Sequence, residues 1–324
     1  PLRTLRCVNI QWNRRYYEAG DYMLQMRAAD FDAGVRYVYA VGRPETGMVE
    51  KVETEHNVKG DFVLVSGYFL EGMFNWKTVY PRFTADGNVA ATCAQLMAQH
   101  LADTGVAVPA APSLGGSAAF DALGVPLGDA TFAALRAQEL GQRIRLNEAQ
   151  GTLTYGVWQG LDRTQSQSQN AYAVFSQGFG TADALTLTRD TSGLRNYAIA
   201  LYEGGVLEVD ARASTAEPKR VLYLDTGMGP EQWGTGAALT AAVQNAARAA
   251  LQARAGVLNI DVTALQRNAH YLADYDLGDR CDVRDDRLRM AFEARIIGVN
   301  EVWKDGAHSV SLQFGDKIPA AYPR

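Results

Sequence analysis

Apolar side chains recur at every second position in several stretches of this chain, and that period constrains the fold more than any other feature. In "GDYMLQMRA" Tyr22, Leu24 and Met26 share one face, while Asp21, Gln25 and Arg27 take the other. Successive side chains of a strand point to opposite faces, so the pattern is that of a half-buried strand. "KVETEHNVKGDFVLVSGYF" reads as two strands joined at "VKGD". Phe62 and Leu64 alternate there with Val63 and Val65, which implies cover on both faces of the second strand. Near the end Leu288, Met290, Phe292, Ala294 and Ile296 alternate, followed by Val310, Leu312 and Phe314. These last strands are expected to close a small barrel, with Phe292 and Ile296 inward and Arg295 facing solvent, a channel or a neighbouring subunit.

The period changes in three places. "DGNVAATCAQLMAQHLA" lines Val89, Cys93, Leu96 and Met97 along one helical face. "DATFAALRAQEL" returns to helical spacing with Asp129 or Thr131 as a cap. "TGAALTAAVQNAARAALQARAG" places Leu239, Val243, Ala247, Ala250 and Leu251 on its apolar side, with Gly256 as a stop. Between the first two helices, the Pro/Gly/Ala segment "TGVAVPAAPSLGGSAAFDALGVPLGDA" reads as an irregular arm. "RIRLNEAQGTLTYGVWQ" reads as a hairpin, and "LTLTRDTSGLRNYAIALYEGG" holds two strands around a turn. The order is mostly β with inserted helices. No strand-helix repeat of a doubly wound domain is present.

With 324 residues, 47% of them hydrophobic, the chain can bury a sizeable core. Lysine and arginine number 31 against 36 acids, a formal charge of -5, and no basic stripe marks a sequence-independent DNA binder. Cys7, Cys93 and Cys281 are odd in number and far apart, so they imply neither a disulfide framework nor a clustered metal motif. No apolar run approaches the roughly 18–20 residues that span a bilayer, and "PLRTLRCVNIQW" lacks the apolar core of a signal peptide. The expectation is a soluble chain made in the cytosol.

The search for chemistry finds little. His56, His100, His270 and His308 are dispersed, and neither HExxH nor GxSxG occurs. "GPEQWGTG" precedes a helix but has no Walker lysine and no dinucleotide spacing, so a structural turn is expected. Glu53 and Glu55 alternate on one strand and read as a solvated face. Trp76 reads as packing at the edge of a core, with an interface anchor as the alternative. The acidic stretch after Leu272, with Asp274, Asp276, Asp279, Asp282, Asp285 and Asp286, lacks the spacing and terminal Glu of an EF-hand. Asp and Gly punctuating turns, with arginines between, account for it. No residue is assigned a catalytic, cofactor-binding or metal-ligating role.

The segments taken in order say more than any of these groups. "YYEAGDYMLQM", "GMVEKVETEHNVKGDFVLVSGYFLEGMFNWKTV", "GLDRT", "LRNYAIALYEGG", "VLYLDTG" and the terminal "YDLGDRCDV", "RIIGVNEVW" and "VSLQFGDK" together cover most of the chain. In this order they resemble the tail hub proteins of long-tailed phages, in particular the Gp37-like siphophage family related to myophage baseplate hubs. The resemblance implies a split multidomain phage tail hub with small β-barrel ring domains. Its expected parts are an N-terminal β ring segment (1–80), a helical and β insertion (81–164), a second β region (165–224), a helical insertion (225–258) and a C-terminal β-barrel segment (259–324). Gly20–Asp21 would introduce an early strand, Gly67 and Gly72 would flank a turn or short helix, and Gly278 would sit at a tight turn.

Such a hub is noncatalytic and has no cofactor. The resemblance implies a homotrimer in the virion, at the phage tail tip or baseplate, after synthesis in the host cytoplasm. It would join the distal tail protein, tail tube and tape measure protein to a central spike, fibre or receptor-binding protein, and DNA would pass transiently through its channel. The rival reading is a cell-wall carbohydrate-binding or glycosidase tail module.

Overall fold

The computed structural model describes residues 4–58, 60–147, 149–254, 257–285, 287 and 289–315. The expected helix stop Gly256, together with Asp286 and Leu288, lies outside the described residues. Two compact units are formed. The larger runs to Thr186 and resumes at Asp261; the smaller spans Leu187–Ile260.

β1 (Cys7–Arg15) turns back at Gly20 into β2 (Asp21–Arg27), and the two pair antiparallel with Trp12 opposite Tyr22. The short pair β3 (Tyr37–Tyr39) and β4 (Thr46–Met48) precedes the hairpin β5 (Lys51–Asn57) and β6 (Gly60–Tyr68), and β6 lies beside β2. Val63 and Val65 are buried and Phe62 and Leu64 half-buried, so β6 is covered on both faces as its sequence implied. One core gathers here, with the Trp12 ring 4.7 Å from Phe69 and 5.7 Å from Tyr22.

A 3-10 stretch, Leu70–Trp76, leads to β7 (Phe83–Asn88) and α1 (Val89–His100). The Asn88 side chain caps α1 by accepting the Ala91 N–H at 3.2 Å. Val89, Cys93, Leu96 and Met97 are all buried, as the helical period required. After β8 (Val106–Ala107) the expected irregular arm contains β9 (Ser117–Ala122), paired antiparallel with β7. Its Ser/Ala-rich sequence carries only a weak apolar alternation, Ala118, Phe120 and Ala122, so the strand depends on tertiary pairing with β7; Phe83 and Phe120 meet edge-on at 5.7 Å.

α2 (Leu127–Arg136) begins at Pro126, and neither Asp129 nor Thr131 caps it. Thr131 lies inside the helix, its hydroxyl donating back to the Leu127 carbonyl and accepting from Gln142. β10 (Gly141–Asn147) and β11 (Thr152–Trp158) form the expected hairpin and join α1 and α2 around a second core.

β12 (Val174–Phe175) and β13 (Ala182–Asp190) lead to the smaller unit. There β14 (Tyr197–Tyr202) is central, antiparallel to β15 (Gly205–Asp210) and parallel to β16 (Val221–Asp225). The short α3 (Pro230–Trp233) is followed by α4 (Ala237–Gln252). Leu239, Val243, Ala247 and Leu251 pack on Ala198, Ala200 and Val209, the small sheet residues letting the helix come close. β17 (Val257–Ala264), β18 (Arg280–Asp285), β19 (Met290–Lys304) and β20 (Ala307–Gly315) complete the order.

The main sheet runs β13-β17-β20-β19-β1-β2-β6-β5. This path is open: among the described residues the last strands do not close the expected small barrel. β19 explains why. Its first half pairs with β18 and its second half with β1, and the register shifts between Ile296 and Gly298 along β20. A bulge there bends the strand and hands it from one set of partners to another.

Ile296 is fully buried, as expected, but Phe292 is only half-buried and Met290 is exposed, because they precede the bend. Arg295 does not face solvent. It donates to the Gly278 carbonyl at 2.5 Å and to Glu139 at 2.6 Å, beneath the Tyr16 ring. The large burial in the last strands belongs instead to Phe314, which lies against Phe175 at 5.3 Å. Phe314→Ala is expected to cost about 3–5 kcal/mol of stability, and Phe292→Ala distinctly less. Denaturant unfolding of the two variants measures the order; a larger loss at Phe292 overturns this account of the core.

Candidate functional site

Arg14 on β1 is 1% exposed, and its neighbours come from far along the chain. Its Nε lies 2.7 Å from Glu45 and its Nη1 2.6 Å from Asp276, and it also donates to the Tyr271 hydroxyl. Burial alone would lower its pKa; Glu45, Tyr271 and Asp276 outweigh that and hold it well above its ordinary value. Beside it, Arg43 grips the fully buried Glu301 through two nitrogens, and His308 meets the same carboxylate at 3.0 Å.

The carboxylates after Leu272 are spread along this frame rather than gathered at one point. Asp279, 3% exposed, accepts from the Leu161 and Asp276 amides and from Arg163 at 2.6 Å. Asp282 accepts the Gln165 amide, Asp274 the His270 amide and Asp285 the Arg287 amide. Among the described residues no three His, Cys, Asp or Glu side chains are arranged to hold a metal ion. Gly278 makes the tight turn with φ +86°, and a Cβ there would meet the Tyr16 ring at 2.5 Å and Trp158 at 2.9 Å. The polar stretch "QSQSQ" at 165–169 is a loop held by its own side chains: Gln167 donates to the Thr164 and Asn170 carbonyls.

Other residues singled out by the sequence stay apart. Glu53 and Glu55 lie on β5, whose seven residues are all exposed, and pair with Lys51 and Asn57. In "GPEQWGTG", Gly234 and Gly236 take φ of +76° and +67° as the turn between α3 and α4. Trp76 does not pack in the interior. It is 56% exposed and Tyr80 77% exposed, while Leu123 and Val125 are exposed on the segment bonded to Val79. This aromatic surface is the kind that protein interfaces use for anchors.

Sequence reasoning missed two buried acids, Glu301 and Glu71. Glu71 is 8% exposed, accepts the Ile144 amide at 3.0 Å, and faces a cleft shared with Glu45 and Arg145. Burial pushes its carboxyl up to about 7, with Glu45 adding to the rise. It sits among apolar residues in "FLEGMF", the one sequence signal that it points inward.

The architecture as a whole is that of phage tail proteins. A tail protein from Neisseria meningitidis MC58 superposes over 98% of this chain and 95% of its own, with a TM-score of 0.60 at 16% identity. The 43 kDa tail protein of prophage MuSo2 from Shewanella oneidensis covers 95% and 93%, with a TM-score of 0.57 at 13% identity. Prophage tail protein gp18 from Listeria monocytogenes EGD-e covers 98% and 91%, with a TM-score of 0.54 at 8% identity. No curated protein matches the sequence. Residues 124–316 match the family described as Siphovirus ReqiPepy6 Gp37-like protein, and the chain belongs to that family. Among the described residues no helix is long and apolar enough to cross a membrane.

Two outcomes test the frame. Native Glu71 holds its proton to about pH 7, whereas the unfolded chain releases it near 4.5. Its contribution therefore falls as pH rises from 4.5 to 7, by about 3 kcal/mol. Glu71→Gln, which keeps an acceptor for Ile144, should gain on the wild type by that amount across the window. A difference that stays flat with pH sinks the assignment. Gly278→Ala should lose stability on the order of 1–3 kcal/mol or more, from the positive φ and the two rings; thermal unfolding reads it, and a neutral result shows that the turn can relax.

Proposed function

We propose that this protein is a noncatalytic hub of a phage tail tip or baseplate. The observation that supports it best is a fold shared with phage tail proteins over nearly the whole chain, together with family membership. In this reading three copies form a ring at the end of the tail tube. The ring joins the distal tail protein, tail tube and tape measure protein to the central spike, fibre or receptor-binding protein. Its lumen is a channel for genome delivery, and the protein resides in the virion.

The electrostatics suit such a passage. Net charge is -5, and arginines such as Arg14, Arg43, Arg82 and Arg163 are each neutralised by a carboxylate. A wall without surplus cation does not hold a polyanion that must slide past it. The work left to the protein is geometric: presenting fixed surfaces to several neighbours at once.

Native mass spectrometry or electron microscopy of assembled tail tips tests the reading. Hub copies are expected in multiples of three around an axial channel. A stable ring of two or four copies, or hydrolysis of cell-wall glycan by the isolated chain, overturns it. A monomer in dilute solution is compatible, because ring contacts gain from the adjoining tube by mass action.

A further inference from the structure

Three residues that line one small cavity in the larger unit carry a buried polar atom without a hydrogen-bond partner. The atoms are Glu45 Oε2, the Trp158 indole Nε1 and Arg14 Nε, the last ion-paired with Glu45 Oε1 at 2.7 Å. The cavity, of about 20 Å³, is also lined by Arg143, Arg145 and Glu71. The strand register explains the grouping. Gly141 pairs with Trp158, Arg143 with Gly156 and Arg145 with Thr154, so Trp158, Arg143 and Arg145 project from one face of the β10–β11 hairpin. Gly156 has no side chain to fill the row, and Arg143 lies over the Trp158 ring at 4.7 Å.

A carboxylate oxygen can only accept, and an indole N–H can only donate. Leaving either buried and unmatched costs about 1–3 kcal/mol. An anion would accept from Trp158 but would set a like charge against Glu45 and leave Oε2 without a donor. A cation would satisfy Glu45 but would leave the indole unmatched and meet the arginines. The ligand must therefore both donate and accept. The volume limits it further, since one water needs about 10–15 Å³ by the same kind of measure, and two do not fit.

We infer that this cavity is a binding site for a single internal water, which donates to Glu45 Oε2 and accepts from Trp158 Nε1. The water ties the segment before β4 to the end of β11, alongside the Arg14–Glu45 pair. Arg14 is ion-paired with Glu45 and bonded to Asp276 and Tyr271, Arg15 donates to Asn300, and Arg143 lies over the Trp158 ring. Arg145, with its Nη1 4.0 Å from Glu45 Oε1, closes the other side.

The test is a crystal structure of the full chain at a resolution that shows ordered solvent, with a parallel bromide soak. One density peak within hydrogen-bond distance of both atoms, and no anomalous bromide signal there, is expected. Trp158→Phe keeps an aromatic ring but removes the pyrrole half of the indole with its N–H, so its crystal should lose the peak bound between Glu45 and the indole. Magnetic relaxation dispersion should then count one fewer long-lived water in solution. An empty cavity in the wild type, a bromide peak at the site, or a water that persists undiminished in Trp158→Phe overturns the inference. The wild-type map decides even if the variant does not fold.

Discussion

A guanidinium taken wholly out of water has to be matched, and in this protein the match to Arg14 holds three remote pieces of chain together. Glu45 arrives from the segment before β4, while Asp276 and Tyr271 arrive from the turn before β18. Removing one partner of a buried pair typically costs about 3–5 kcal/mol, because the other charge is left stranded. An apolar trio could fill the same space. It would tolerate sliding and repacking, whereas directional bonds to a planar fork accept one arrangement. Buried charge is not a general route to stability; what the directional bonds supply here is one fixed arrangement of the three segments.

The acidic stretch that leads into β18 depends on the same logic. Its residues read correctly as turn chemistry: Asp274 and Asp285 bind amides within their own turns, and Gly278 takes the left-handed conformation that its position required. What the local pattern did not contain was the partners. Arg163 reaches Asp279 from 116 positions away in the chain, and Arg14 reaches Asp276 from 262. Such pairings follow from how the sheet is wound, and no spacing rule within either segment encodes them. Arg295 illustrates the converse. On an alternating strand it reads as outward, yet the bend after it turns its side chain onto Gly278 and Glu139.

Elements with a strong apolar period were the legible part of the fold. β2, β6, α1 and α4 bury the side chains that their sequences mark. β9 was not legible, because in "SAAFDA" a single Phe120 among small residues gives a weak periodic signal and the strand depends on pairing with β7. Barrel closure was misread for a related reason. Alternation in "RLRMAFEARII" establishes a strand but not what lies beside it, and β19 uses its length to serve two sets of neighbours instead of curling onto itself. Topology came through the resemblance in segment order, which carries information that periodicity lacks.

Surfaces for assembly are the hardest features to read. Phe74 and Trp76 are two residues apart in one 3-10 stretch, equally apolar in sequence, yet the first is fully buried and the second more than half exposed. Nothing local separates them, because an interface anchor and a core residue use the same side chains for the same physical reason. The difference arises as the segment turns: Thr78 and Tyr80 are exposed, while Val79 between them is buried and bonded to the Leu123–Val125 segment. Reading such a surface takes the course of the chain, which the apolar content of the segment does not encode.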